Sequence, residues 1–251
     1  MKKLDTLLKL VAEKKKQLDS LRPLPPALIQ NLEQWFAIEQ IYTSNALEGN
    51  TLTRHETALV IEKGITVAGK PLKDHLEAVN YAIALHFVGD LIHKKRSTLT
   101  ITDILDIHRI ILKSIDDEHA GIFRKIAVRI SGSTLTLPDP IKVPDLMNEF
   151  IQWLTTTADS PIMIAAQAHY RLVSIHPFID GNGRTARLLM NLLLIQEGYP
   201  PAIIPMEKRA AYLAALTEID ATGNYKDFKV LITQAVEHSL DVYLEAAQKS
   251  I

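Results

Sequence analysis

A histidine, an aspartate, two glycines around an asparagine and two arginines crowd into the run His176-Pro177-Phe178-Ile179-Asp180-Gly181-Asn182-Gly183-Arg184-Thr185-Ala186-Arg187. Gly181 and Gly183 let the backbone take positive φ values and turn its N–H groups inward, a concavity suited to phosphate at the start of a helix. Arg184 and Arg187, spaced i, i+3, fall on one face of that helix and can take phosphate oxygens bidentately. Two fixed positive charges at a helix start oppose the macrodipole, and a bound anion compensates them. Asp180 stands where a carboxylate beside a phosphate cradle can hold Mg²⁺, which binds through one or two carboxylates plus phosphate oxygens. His176 precedes it by four residues, with Pro177 stiffening the backbone between. An imidazole is the side chain best suited to take a hydroxyl proton near neutral pH. Each residue alone fits a Gly-rich turn, surface ion pairs and a core histidine; together they point to phosphate chemistry.

The elements that position this run are two apolar helical stretches, 165–173 before it and 188–194 after it, so the motif is the loop between them and the first turn of the second. With 251 residues, 47% of them hydrophobic, the chain can build one sizeable core, and one domain is expected. A net charge of -1 from 28 basic and 29 acidic residues gives no bulk attraction to nucleic acid or anionic membrane, so neither is expected as a partner. Any anionic ligand must be held by local charge. The absence of cysteine excludes disulfides, thiolate metal sites and thiol catalysis. No run reaches the roughly 18 apolar residues of a membrane span, and the N-terminus alternates lysine with leucine in place of a signal core. A soluble, cytoplasmic protein is the expectation.

Along the chain, Leu4, Leu7, Leu8, Val11 and Leu18 set out an amphipathic helix over 2–20, with Asp5, Glu13 and Asp19 breaking up its lysines. It reads as a packing element or appendage, 1–25, closed by the prolines at 23, 25 and 26. A second helix runs from Ala27 toward Ser44-Asn45-Ala46-Leu47-Glu48-Gly49-Asn50, where Gly49 and Asn50 suit the left-handed turn past a helix end. Glu48 has the wrong sign for a helix C-terminus and calls for a basic partner from elsewhere. Thr53-Arg54-His55-Glu56 has the form of a capping box. Helices follow over 73–94 and 100–114; His75, His86, His93 and His108 lack metal-ligand spacing and read as ordinary core or surface histidines. Residues 126–130 and 134–137, around Ser131-Gly132-Ser133, have the form of a β-hairpin whose outer edge could add a peptide strand. Val143-Pro144 and Ser160-Pro161 open two more helices, Gly198 to Pro201 stops the one after the motif, and 207–221 and 225–248 supply the last two.

The run 176–187 matches, at every defined position, the signature H-x-F-x-D/E-G-N-G-R-x-x-R, and the chain resembles Fic-domain proteins from about Gln40 to its C-terminus. Ser44, Glu48 and Gly49 also match that family's inhibitory pattern, S/T-x-x-x-E-G/N. The resemblance implies a mainly α, Fic-fold helical bundle (26–251, with the inhibitory helix at 27–50) carrying a single β-hairpin flap at 126–137 over the site. It implies a protein adenylyltransferase, moving AMP from ATP to a serine, threonine or tyrosine hydroxyl of a target protein, with Mg²⁺. His176 would be the base and Asp180 the metal ligand. The Gly181, Asn182 and Gly183 amides and the Asn182 side chain would stabilise charge on the α-phosphate, with Arg184 and Arg187 on the β- and γ-phosphates. Val128, Ile130, Thr134 and Leu135 of the flap would hold the target, and Glu48 would pair with Arg187 to hold the enzyme off. Tyr212 and Asp220 lie where related proteins contact adenosine; Asp220 departs from their asparagine, and a carboxylate cannot donate to an adenine acceptor. A homodimer is left open. Two other readings compete: removal of AMP at the same site, with Glu48 orienting water, and an idle nucleotide-sensing interaction module, which would have no need of His176.

Overall fold

A computed structural model describes residues 2–130 and 135–249. After Gly181, α8 (Asn182–Gln196) buries every residue from Arg184 to Leu194. A helix enclosed on every face belongs at the centre of its bundle, and the other elements wrap it. Packed closely along it is α7 (Pro161–Ile175), opened by a proline at its first position where no N–H is needed. Further sides are covered by α2 (Pro26–Leu47), α4 (Leu72–Leu91) and α5 (Ile101–Leu112). Outside these lie α3 (Arg54–Lys63), α6 (Val143–Thr156), α9 (Arg209–Thr222) and α10 (Lys226–Gln248). At the N-terminus, α1 (Lys2–Ser20) lies along α10; Val11 and Leu18 enter the common core, and Lys14 bridges Glu237 and Asp241 at 2.8 and 2.7 Å.

Local signals place the helix ends. Thr53 accepts the Glu56 N–H at 3.2 Å while the Glu56 carboxylate accepts the Thr53 N–H at 2.7 Å, closing the expected capping box. Past α2, Gly49 takes φ 98°, the region that only glycine enters freely.

The hairpin is a correction. Among the described residues there is no strand, and Val128, Ile130 and Leu135 lie in segments without a ladder; Thr134 and Ser131-Gly132-Ser133 lie outside the described residues. β-branched alternation favours a pleated surface but does not supply one, and a single two-stranded ribbon is marginal in water. Between the described stretches on either side, the Arg124 guanidinium donates to Ile126 O at 3.2 Å and to Pro138 O at 2.6 Å.

Candidate active site

His176 closes α7 in the left-handed conformation, φ 50° and ψ 59°, its N–H donating to Leu172 O at 3.0 Å. A non-glycine residue there costs about 1–2 kcal/mol. Arg124 holds the strained turn from outside, its N–H on Pro177 O at 2.9 Å and its Nε on His176 O at 2.7 Å. Nδ1 of His176 lies 3.3 Å from Val173 O. A carbonyl only accepts, so this contact assigns the proton to Nδ1 and leaves Nε2 as the basic lone pair. Burial lowers the pKa of the imidazole, the Arg124 charge adds to that, and Glu48 and Asp180 oppose it without reversing it. The neutral, proton-accepting form is therefore the resting form at pH 7.

Asp180 and the mouth of α8 come next. Gly181 takes φ 78°, and its N–H donates to Asp180 Oδ1 at 2.6 Å. The Arg184 guanidinium, 1% exposed, reaches the same oxygen at 3.1 Å and Glu77 Oε1 at 2.9 Å. Arg184 thus stands behind the loop, aiming Asp180. The Asp180 side chain remains 49% exposed, and its Oδ2 faces Lys73 Nζ at 3.8 Å. Burial raises the Asp180 pKa, but Arg184, the Gly181 amide and Lys73 outweigh it and hold the carboxyl below its ordinary value. The Asn182 side chain is likewise committed to the loop: Nδ2 donates to Phe178 O at 2.9 Å and Oδ1 accepts from Phe178 N–H at 3.0 Å. From below, His108 stacks on Phe178 at 3.6 Å, donates from Nε2 to Asp180 O at 2.9 Å, and accepts the Gly121 N–H on Nδ1 at 2.9 Å.

Glu48 and Arg187 meet although 139 residues apart, with Arg187 Nη2 donating to Glu48 Oε1 at 2.7 Å. Arg187 also donates to Ser44 Oγ at 2.8 Å and to Ser44 O at 2.9 Å. Burial alone would lower the Arg187 pKa; the Glu48 carboxylate and the Tyr212 and Tyr81 hydroxyls raise it instead. A Cβ at position 183 would collide with Glu48 Oε1, so Gly183 is what lets the carboxylate settle on the first turn of α8. The end of the Ser44–Asn50 stretch is pinned separately: Asn50 Nδ2 donates to Asp74 O at 3.0 Å and to Glu77 Oε2 at 2.9 Å.

Of the two residues expected at adenosine, Tyr212 is buried, its hydroxyl between Arg187 Nη1 at 3.5 Å and His169 Nε2 at 3.0 Å. Asp220 lies at the exposed end of α9 and accepts from the Tyr170 hydroxyl at 2.7 Å. The structure therefore puts Tyr212 in the Arg187 cluster and leaves Asp220 apart from it. Grooves of about 970 and 1130 Å³ open elsewhere, along α2, α9 and α10 and between α2 and α4, and no residue of 176–187 lines either.

The buried histidines make the site sensitive to acid. Desolvation lowers His108 to about 4 and His169 to about 3, from an ordinary 6.5. Between 6.5 and those values the unfolded chain binds protons that the folded chain refuses, so stability is full above that window and is lost as pH falls through it. Two such groups give a slope of about 2–3 kcal/mol per pH unit. Urea unfolding at stepped pH should find it, and His169→Leu should remove about half of it.

Residue types alone did not single out His108, Glu77 or Arg124. His108 lies on the apolar face of α5 with Ile104, Ile107 and Ile111, and only the fold brings it to Asp180 O.

Comparison with known proteins agrees with this geometry. The Fic/DOC family model matches residues 98–194. The protein adenylyltransferase Fic of Drosophila persimilis is 40% identical over 211 residues, 83% of this chain and 41% of that protein. That of Aedes aegypti is 37% identical over 224 residues, 88% and 44%. The chain thus spans less than half the length of these curated relatives. Among solved structures, Fic-1 from C. elegans superposes with a TM-score of 0.88 at 32% identity, covering 98% of this chain and 74% of that one. With the signature loop, the helices that carry it and this likeness over nearly the whole chain in agreement, the chain belongs to the Fic family.

Proposed function

We propose that the chain is a protein adenylyltransferase that moves AMP from ATP to a hydroxyl of a target protein and is restrained by Glu48. The observation that carries this reading is the Glu48 carboxylate seated on Gly183 at the mouth of α8 and paired with Arg187: an anion already occupies the place where a helix start and an arginine favour phosphate. With Glu48 withdrawn, the γ-phosphate takes Arg187 and the α-phosphate comes to rest near His176. Nε2 accepts the target's hydroxyl proton as its oxygen bonds to the α-phosphorus; the bond from phosphorus to the β-bridging oxygen breaks, and pyrophosphate leaves with the electron pair. The α8 amides face the charge that develops. A target segment laid along 126–130 would bring its hydroxyl to this base, because that stretch is tied to the His176 turn through Arg124.

Mg²⁺ fits Asp180 in chemistry and exposure. Among the described residues no group of three or more histidine or acidic side chains could hold a metal by itself, so the ion would share Asp180 with nucleotide phosphates. When bound, it neutralises phosphate charge. No helix among the described residues is long and apolar enough to cross a membrane.

Incubation with ATP labelled on either the α- or the γ-phosphate tests the reaction. Label should enter protein from the α position only, more in Glu48→Gly than in the unsubstituted chain. Transfer from the γ position would make the chain a kinase and overturn the reading. The second reading, removal of AMP from a modified protein, draws on the 38% exposure of the Glu48 side chain, which leaves that side chain partly open to water. It requires Glu48→Gly to abolish release of AMP from modified target.

A further inference from the structure

Arg124 is 2% exposed, and among the described residues its guanidinium makes three bonds, each to a main-chain carbonyl: His176 O, Ile126 O and Pro138 O. Burial lowers its pKa, with Asp139 offsetting part of the effect. Burying a guanidinium without a contact ion pair is costly, and an apolar residue of similar length would fill the space without that penalty. The planar fork must therefore serve a purpose that volume does not.

Its partners indicate the purpose. One nitrogen and the residue's own N–H hold His176 O and Pro177 O, the turn that carries the imidazole at φ 50°. The other two nitrogens hold Ile126 O and Pro138 O, one on each of the described stretches 122–130 and 135–138. We propose that Arg124 is a positioning residue that locks these two stretches to the His176 turn, so that they and the base move as one piece. A target docking on 126–130 then acts on the histidine backbone through this guanidinium. The proposal rests on the reading of His176 as the base for transfer to protein.

Arg124→Lys and Arg124→Met, each in the Glu48→Gly background, test it. Lysine keeps the charge and the stem but offers one point in place of a fork, and cannot span three carbonyls. Both variants should lower kcat toward a protein target by about a hundredfold, the usual effect of misplacing a catalytic group by about 1 Å. KM for ATP should stay within about threefold, since no ATP contact is removed. An unchanged kcat in Arg124→Lys, with circular dichroism reporting an intact fold, would mean that the fork has no positioning role. Hydrogen exchange on the unsubstituted chain decides the matter without activity and without the risk of misfolding. The Arg124 and His176 amides should open together, with the same denaturant dependence; separate openings overturn the proposal. If Glu48→Gly itself transfers nothing, the functional reading has failed, and exchange still decides whether Arg124 is the lock.

Discussion

Replacing His176 with alanine is expected to lower AMP transfer by about 10²- to 10⁴-fold, the range for loss of a general base. ATP binding should change by less than about threefold, because the imidazole is proposed to meet the attacking hydroxyl and not the nucleotide. Three features of the turn support a large effect. The Val173 carbonyl fixes the proton on Nδ1, so the other nitrogen is the acceptor. Burial, aided by Arg124, lowers the pKa from its ordinary 6.5, so the neutral ring is the major form at pH 7. The ring is also pre-aimed, since the left-handed turn is fixed at the backbone and does not have to form during the reaction. The sign of the pH dependence follows: a base must be unprotonated, so the acid limb of kcat/KM lies below 6.5 in the active enzyme and disappears in His176→Ala. Label incorporation against pH, with ATP binding measured alongside, checks both statements. Transfer retained by His176→Ala would remove the histidine from the mechanism.

What the sequence made legible follows a physical divide. The mouth of α8 could be read because its determinants are local: a glycine, Gly181, for the left-handed turn, charges at a helix start, and an imidazole four residues before the aspartate; Gly183, expected to take a positive φ as well, is instead helical. Electrostatics marked Glu48 and Arg187 as each out of place on its own helix, and the family resemblance supplied their pairing across 139 residues. The clamps around the loop could not be read. His108, Arg124 and Asn182 act largely on main-chain carbonyls and amides, which every residue carries, so no side-chain pattern marks the partner. Arg184 was legible as a charge but not as a direction; its turn toward Glu77 depends on where α4 packs. The β-hairpin failed for a related reason. Alternating β-branched residues describe a surface that could pair, whereas in the fold Arg124 takes the carbonyls of Ile126 and Pro138.

Glu48→Gly is expected to raise AMP transfer and self-modification by about 10- to 100-fold, and Arg187→Ala to remove activity whether or not Glu48 is present. At an effective dielectric of 20, opposite charges 4 Å apart attract by about 4 kcal/mol. That figure must be reduced here, because the Glu48 side chain is 38% exposed and water screens it. A charge-assisted hydrogen bond of the 2.7 Å contact's kind is worth about 1.5–3 kcal/mol, and 1.4 kcal/mol is tenfold. Arg187 itself hardly moves when Glu48 is lost, since Ser44 holds it through its hydroxyl and its carbonyl and Tyr212 lies beside it. The guanidinium is then left buried, charged and facing the vacated seat on Gly183, the setting in which a γ-phosphate gains most. Removing Arg187 instead frees Glu48 but leaves the phosphate no counter-charge at that depth, so the double variant should be as inactive as Arg187→Ala alone. This non-additivity separates a shared binding site from two independent effects. The measurement is incorporation of α-label by the unsubstituted chain, each single variant and the double variant at saturating ATP and Mg²⁺. If Glu48→Gly is no more active than the unsubstituted chain, Ser44 to Asn50 is a capped helix end with an ion pair and no inhibitor. If the double variant recovers activity, the γ-phosphate is held by some group other than Arg187.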